Sequence, residues 1–432
     1  MQVFEEPNKQ DWEALLKRPS FDAAELLPKV QSILDAVASE GDAALFRLSE
    51  TFDQVQLKTI AIDPAMIQAA EALVAPALKT AIQSAKVNIE IFHQAQIKKE
   101  EKIETMPGVW CWRKAVGIEK VGIYIPGGTA PLFSTVLMLG VPAKLAGCKE
   151  VILCTPPRKD GTVDPAILYA AGLVGIEQIY TIGGAQAIAA MAYGTATVPK
   201  VFKIFGPGNQ YVTAAKQLIQ QQGVAIDMPA GPSEVCVYAD ETAVPAFVAA
   251  DLLSQAEHGA DSQVLLIASN NNIVEQVQLE LAQQLAELPR ADFATKALGH
   301  SKAIVIALRE DAIQLINAYA PEHLILSVDN ALVVAEKIIN AGSVFIGNYS
   351  PESVGDYASG TNHTLPTNGY AKAYSGVSVD SFVKKITFQQ LTEMGLRNIA
   401  QTVIQMASGE QLEAHAQAVA IRVKDIESKM KF

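Results

Sequence analysis

The sequence predicts an α/β protein of two doubly wound parallel-sheet domains, each an incomplete Rossmann-like unit, with a small N-terminal arm and a helical C-terminal tail. Three observations carry that prediction. From Lys120 onward, short β-branched runs alternate with helical runs, the pattern of right-handed βαβ units around a parallel sheet. The alternation stops at Pro229-Ala230-Gly231-Pro232 and then starts again. A chain of 432 residues also exceeds what one ordinary core serves.

Residues 1–20 are polar and read as an arm. Residues 21–52 carry apolar positions at helical spacing. Asp63-Pro64, a capping acid before a proline at the first helical position, opens a second long helical stretch to about Lys98. Val121-Gly122-Ile123-Tyr124-Ile125 reads as a buried strand closed by Pro126-Gly127-Gly128. Val151-Ile152-Leu153-Cys154, 178–182 and 201–205 are the next strands, the last two ended by Gly183-Gly184 and Gly206-Pro207-Gly208-Asn209. After the restart, strands are expected at 234–239, 263–268, 303–307, 323–327 and 343–346, with helices between. A glycine-rich stretch follows at 355–376, and from about Phe388 the chain reads as helical. The expected domains are 21–123 with 233–377, then 124–232, with 378–432 as the tail.

Composition narrows the partners. A net charge of −12 with no basic stretch argues against nucleic acid or an anionic membrane. The four cysteines (Cys111, Cys148, Cys154, Cys236) stand far apart without a C-x-x-C pair, which fits a reducing cytoplasm rather than a disulfide framework. The acidic N-terminus lacks a signal-peptide core, and the apolar run 131–147 is broken by Pro142 and Lys144.

Several segments carry groups suited to chemistry. Glu322-His323 sets a carboxylate beside an imidazole at a loop-to-strand junction, a pairing suited to two proton transfers at one substrate. Neighbours on an extended segment point to opposite sides, so both serve one substrate only if the backbone bends there. Gln255 and His258 are three apart in a helical stretch and face one way, half of a metal site. Ligands of parallel sheets sit at the carboxyl ends of strands, where Gly183-Gly184-Ala185-Gln186 and Gly206-Pro207-Gly208-Asn209 lie. Neither a G-x-G-x-x-G fingerprint nor a P-loop is present. The segment 353–364 supplies Asp356, His363 and several hydroxyls, while Glu410 and His415 are expected on the last helix. His93 and His300 show no partners in sequence.

Taken in order, Tyr124-Ile125-Pro126-Gly127-Gly128, Phe205-Gly206-Pro207-Gly208-Asn209, Ala230-Gly231-Pro232-Ser233-Glu234-Val235 and Ser254-Gln255-Ala256-Glu257-His258 resemble the histidinol dehydrogenase family. Pro321-Glu322-His323-Leu324, the stretch from Gly355 to His363, and Glu413-Ala414-His415-Ala416 complete the set, which spans the chain from about residue 20. The resemblance implies a zinc-containing, NAD-dependent enzyme that oxidises L-histidinol to the aldehyde and then, with water, to L-histidine. It implies one zinc per subunit held by Gln255, His258, Asp356 and His415. Ser233, His323 and Glu410 would join these four in contacting substrate, and Tyr124, Gln186 and Asn209 would line the NAD site. His415 and Glu410 would come from the partner subunit of a homodimer. The first domain would be the substrate and metal side, the second the NAD side, and the tail part of the partner's site.

The expected division of labour makes His323 the base in both oxidations and gives Glu322 the water that adds to the aldehyde. Two rivals stand beside it. One is an aldehyde dehydrogenase working through a covalent Cys154 or Cys236; the other is a non-catalytic metal or small-molecule binder on the same scaffold.

Overall fold

The structure is a computed structural model that describes residues 1–18, 23–127, 130–229 and 231–429. The expected helix start at Phe21, together with Gly128 and Ala230, lies outside the described residues. The chain divides into two compact units, Met1–Gln96 with Ile118–Phe382, and Ile97–Gly117 with Val383–Phe432.

In chain order the strands are β1 (Gln2–Glu5), β2 (Ile103–Met106), β3 (Val109–Gly117), β4 (Lys120–Tyr124), β5 (Glu150–Thr155), β6 (Gln178–Thr181) and β7 (Lys203–Phe205). They continue as β8 (Ala225–Ile226), β9 (Glu234–Ala239), β10 (Gln263–Ala268), β11 (Lys302–Val305), β12 (His323–Ser327), β13 (Ser343–Ile346) and β14 (Val383–Leu391). The large unit holds two parallel sheets, β6-β5-β4-β7-β8 and β1-β11-β10-β9-β12-β13. Setting β1 aside, both have the same plan: the first strand lies in the middle, the next two go one way and the last two the other. That is the doubly wound topology the sequence predicts. Core packs on both faces of each sheet, which is why the strands read as unbroken apolar runs.

Residues 1–18 are not a loose arm. β1 extends the second of these sheets, pairing in parallel with β11, while Leu15 is buried and Trp12 and Leu16 pack under that sheet. A four-residue strand exposed at three positions has no apolar alternation to read; main-chain pairing alone makes it.

The N-terminal helices also pack differently from the expected grouping of 21–123 with 233–377. Helices Ala23–Glu40 and Asp42–Phe52 share a core with Gly184–Tyr193 and Gln210–Gln220, on one face of the β4–β8 sheet. Helices Pro64–Leu73 and Pro76–Gln94 cover Phe133–Leu145 and Pro165–Leu173 on the other face. The reason is visible in the inner helices. Every residue of Phe133–Leu145 from Ser134 to Ala143 is buried, and a helix apolar all round needs a second layer outside it.

Of the small unit, the tail from 378 onward was expected to be helical. The unit holds helices Glu393–Gly409 and Glu413–Lys429, but also an antiparallel sheet, β14-β3-β2, paired from Val383↔Gly117 to Leu391↔Val109. β14 is exposed along most of its length, so its side chains carry no pattern of burial. Among the described residues no single helix is long and apolar enough to cross a membrane.

Candidate active site

The Glu322-His323 pair sits where β12 begins, beside the start of β9, at the amino-terminal edge of its sheet. Helix Arg309–Tyr319 ends on Ala320 in the left-handed conformation (φ 54°), followed by Pro321, and the backbone bends at Glu322 before entering the strand. The bend turns both side chains into one pocket. Glu322 Oε2 lies 3.7 Å from His323 Nδ1, and both residues are buried.

Their partners come from three further elements. At the start of β9, the Glu234 N–H donates to Glu322 Oε2 at 2.9 Å, and His323 Nδ1 lies 3.3 Å from the Glu234 carbonyl. Helix Glu352–Tyr357 places two carboxylates one turn apart on one face. Glu352 Oε1 is 4.0 Å from His323 Nδ1, and Asp356 Oδ1 is 3.4 Å from Nε2. Like charges at this spacing repel unless something positive lies between them. Helix Pro245–Ala256 brings the fully buried Gln255, whose amide nitrogen faces Glu352 Oε1 at 2.5 Å and whose oxygen then accepts from the Glu234 N–H at 2.9 Å. His258 follows that helix at the exposed rim, close enough to feel Asp356. His363 turns Nδ1 to the Asp356 carbonyl at 2.8 Å and Nε2 to Thr135 Oγ1 at 3.1 Å.

Burial dominates the electrostatics. It pushes Glu322 up to about 8, against the pull of His323 and the Glu234 N–H. It pushes Glu352 up to about 8 as well, despite His323. Burial alone would lower His323, but the carboxylates of Glu352, Glu322 and Asp356 outweigh it and hold the imidazole well above its ordinary value. Asp356 goes the other way: burial raises it, and His323, His363 and His258 together bring it below the usual carboxylate range. Four titratable groups in one dry pocket cannot all be charged. Without a metal, the charged pair near neutrality is therefore imidazolium and Asp356, while Glu322 and Glu352 keep their protons.

Three buried atoms of this cluster, His323 Nε2, Glu352 Oε2 and Asp356 Oδ1, have no hydrogen-bond partner. The ligand atoms of His323, Glu352 and Asp356 all lie within 4.8 Å of one another. Unpaired nitrogen and oxygen atoms on residues gathered this closely fit a divalent cation that takes mixed ligands, zinc among them. Of the residues expected to bind metal, Asp356 belongs to this cluster, Gln255 touches it and His258 lies near it. His415 lies in the first turn of Glu413–Lys429 and Glu410 caps Glu393–Gly409, both in the other unit. Ser233 stands half-buried just before β9. Glu352 was missed from sequence; the signal was available in its four-residue spacing from Asp356.

The other expected residues gather at the carboxyl edge of the β4–β8 sheet, where strand order reverses between β4 and β7. Tyr124 ends β4, and its hydroxyl accepts the Gly184 N–H at 3.0 Å. Gln186 is buried in the first turn of Gly184–Tyr193, and Asn209 caps Gln210–Gln220 by accepting from Tyr211 and Val212. Gly206 ends β7 so close to β4 that a Cβ there would stand 2.1 Å from the Tyr124 carbonyl oxygen. Buried Lys216 donates to the Gly206 carbonyl at 2.9 Å and pairs with Asp227, which accepts the Gly206 N–H at 2.8 Å. This is a rigid glycine cradle at a switch point, with two helix N-termini opening on it, and it fits a dinucleotide.

The cysteine rival finds no support. Cys154 and Cys236 are wholly buried in strands, and burial pushes both thiols far above the range in which a thiolate forms.

Comparison with known proteins follows the geometry. A sequence model of the family described as histidinol dehydrogenase matches residues 16–423. A histidinol dehydrogenase of Bacteroides thetaiotaomicron is 58% identical over 99% of this chain and 100% of its own length. One of Pasteurella multocida is 53% identical over 97% of each chain. The crystal structure of histidinol dehydrogenase from Elizabethkingia anophelis superposes with a TM-score of 0.96 at 55% identity, covering 99% of both chains.

Proposed function

The chain belongs to the histidinol dehydrogenase family, and on that premise we propose how its residues divide the work. The activity is the NAD-dependent oxidation of L-histidinol through L-histidinal to L-histidine, the closing steps of histidine biosynthesis. The reading rests on one observation above the others: a buried imidazole among three carboxyl groups, with donor atoms left unpaired and converging.

In this reading Gln255, His258 and Asp356 hold zinc with His415, and the last residue comes with Glu410 from the second copy of a homodimer. Ser233, His323 and Glu410 bind substrate beside those four. Tyr124, Gln186 and Asn209 bind NAD at the β4–β8 sheet, while the sheet of β9–β13 is the substrate and metal side. When bound, zinc orients the substrate and weakens the hold of nearby groups on their protons, and NAD accepts hydride. His323 Nε2 takes the alcohol proton as hydride leaves the carbon. Glu322, 3.7 Å from the imidazole, takes a proton from the water that adds to the aldehyde. His323 then takes the proton of the hydrate in the second oxidation. Holding the aldehyde in the site keeps a reactive intermediate from escaping between steps.

The test is a single assay: histidinol added to the chain with NAD should yield two NADH per histidinol. A chelator should abolish turnover and zinc should restore it. Binding of histidinol without NADH formation would make the chain a binder instead.

A further inference from the structure

We propose that Glu234 is a positioning residue for both Glu322 and His323, and that Arg18, from the N-terminal segment, fixes it in place. The inference rests on the reading of Glu322 and His323 given above and deepens it. Glu234 is the first residue of β9, and its main chain touches both members of the pair: its N–H holds the Glu322 carboxyl and its carbonyl faces His323 Nδ1. A carbonyl only accepts, so it keeps a proton on Nδ1 and, once the imidazolium gives up its other proton, leaves the lone pair on Nε2, the nitrogen with no partner. The same N–H is also within reach of the Gln255 amide oxygen, so the main chain of Glu234 is shared by three residues of the pocket.

What holds that stretch of main chain is the Glu234 side chain, which is almost wholly buried and fully bonded. Oε2 accepts from Arg18 Nε at 2.5 Å, and Oε1 accepts from the Asn368 N–H at 2.5 Å. Arg18 does more than neutralise it. Its Nη2 donates to the Tyr319 carbonyl at 2.7 Å, and its guanidinium lies 3.9 Å from the centre of the Tyr319 ring. Tyr319 is the last helical residue before Ala320-Pro321-Glu322. One planar cation therefore ties the start of β9 to the turn that delivers the catalytic pair, in a fork geometry that lysine cannot reproduce. Buried ion pairs give little net stability, because desolvation offsets the attraction. This one fixes a register between two backbones whose groups aim the base.

The test uses the full-length, zinc-loaded enzyme. Glu234→Gln and Arg18→Met should each lower kcat of both oxidations by about 10- to 100-fold, the loss expected when a reacting group is misaligned by roughly 1 Å. KM for histidinol and NAD and the zinc content should stay near the parent's. Arg18→Lys, which keeps the charge but loses the fork, should fall between parent and Arg18→Met. In a His323→Asn background the same substitutions should have almost no further effect on alcohol oxidation, since their influence runs through that imidazole. Unchanged kcat, or an equal proportional loss with and without His323, would overturn the inference. If Glu234→Gln fails to fold, Arg18→Lys decides by the same criteria. A parent enzyme inactive on histidinol would instead sink the functional reading itself.

Discussion

The two parallel sheets of the large unit share one strand order but expose their chemistry at opposite ends. At the carboxyl edge of the β4–β8 sheet, glycine loops and helix N-termini surround the β4–β7 switch point. At the amino edge of the other sheet, acids and imidazoles surround the β9–β12 pair. The difference follows from what each end of a parallel sheet offers. A carboxyl edge presents free N–H groups of helix starts, suited to holding an anionic cofactor by its phosphates. An amino edge presents helix C-termini and strand entries, with partial negative charge that favours cations. Proton transfer and metal binding fit there, and the buried carboxyls add to the same field.

This contrast breaks first at His323. His323→Asn should lower both oxidations by about 10²- to 10⁴-fold, the usual span for removing a general base, while leaving NAD affinity unchanged. NAD titration by fluorescence alongside steady-state kinetics checks both halves. A comparable loss of NAD binding would mean that the two ends are not functionally separate.

Glu322→Gln comes next. The substitution suits the site, because the carboxyl holds its proton near neutrality and an amide mimics that state. Aldehyde oxidation should fall about 100-fold and alcohol oxidation little, since only the former needs an activated water. A base acts only when deprotonated, and burial raises this one to about 8 without the metal, whose charge brings it down, so parent aldehyde oxidation should climb as pH rises toward 8. The variant should lose that climb. Loss of alcohol oxidation with aldehyde oxidation intact would reverse the assigned roles.

On the glycine side the matching change is Gly206→Ala. Its φ of 131° and the 2.1 Å approach to the Tyr124 carbonyl leave no room for a Cβ, so β4 and β7 must part at the switch point. KM for NAD should rise about 10-fold or more, with zinc content unchanged. Isothermal titration with NAD and metal analysis of one preparation decide it; unaltered NAD affinity would place the cofactor elsewhere.

The same contrast explains what was legible in the sequence. Nine of the ten central strands, all but the two-residue β8, and the glycine turns were readable because parallel strands buried on both faces are apolar throughout. β1, β2, β3 and β14 were not, because exposed strands are specified by pairing rather than by burial. The glycine cradle was found by looking at carboxyl ends; that rule alone would have missed the amino-edge site. Adjacency singled out Glu322 and His323, and the bend that a shared pocket requires is present. Glu352, Glu234 and Arg18 escaped because their contacts close over long stretches of chain: 216 residues separate Arg18 from Glu234. Short-range pattern cannot see such pairs.

The smallest effect compares one buried acid from each region. Asp251 lies one turn before Gln255 on the site's helix, and burial raises it to about 7. Asp53, less deeply placed beside Tyr124, is raised by burial to about 6. Neither shift has an opposing charge among its causes, so each acid is a pure desolvation penalty in the folded state. The sign is fixed by linkage. A folded pKa above the unfolded value of 3.8 means no penalty below 3.8, a growing one as pH rises, and the full penalty above the folded pKa. Asn cannot ionise and escapes this dependence. Asp251→Asn should therefore gain about 1–2 kcal/mol of stability relative to the parent between pH 5 and 8, after allowance for partial solvent access. Asp53→Asn should gain in the same direction but less, with the gain complete by a lower pH. Urea midpoints of the metal-free proteins at pH 5 and 8 measure both. A larger gain at Asp53, or none at either site, would show that the amino edge is not the drier and more strained of the two ends.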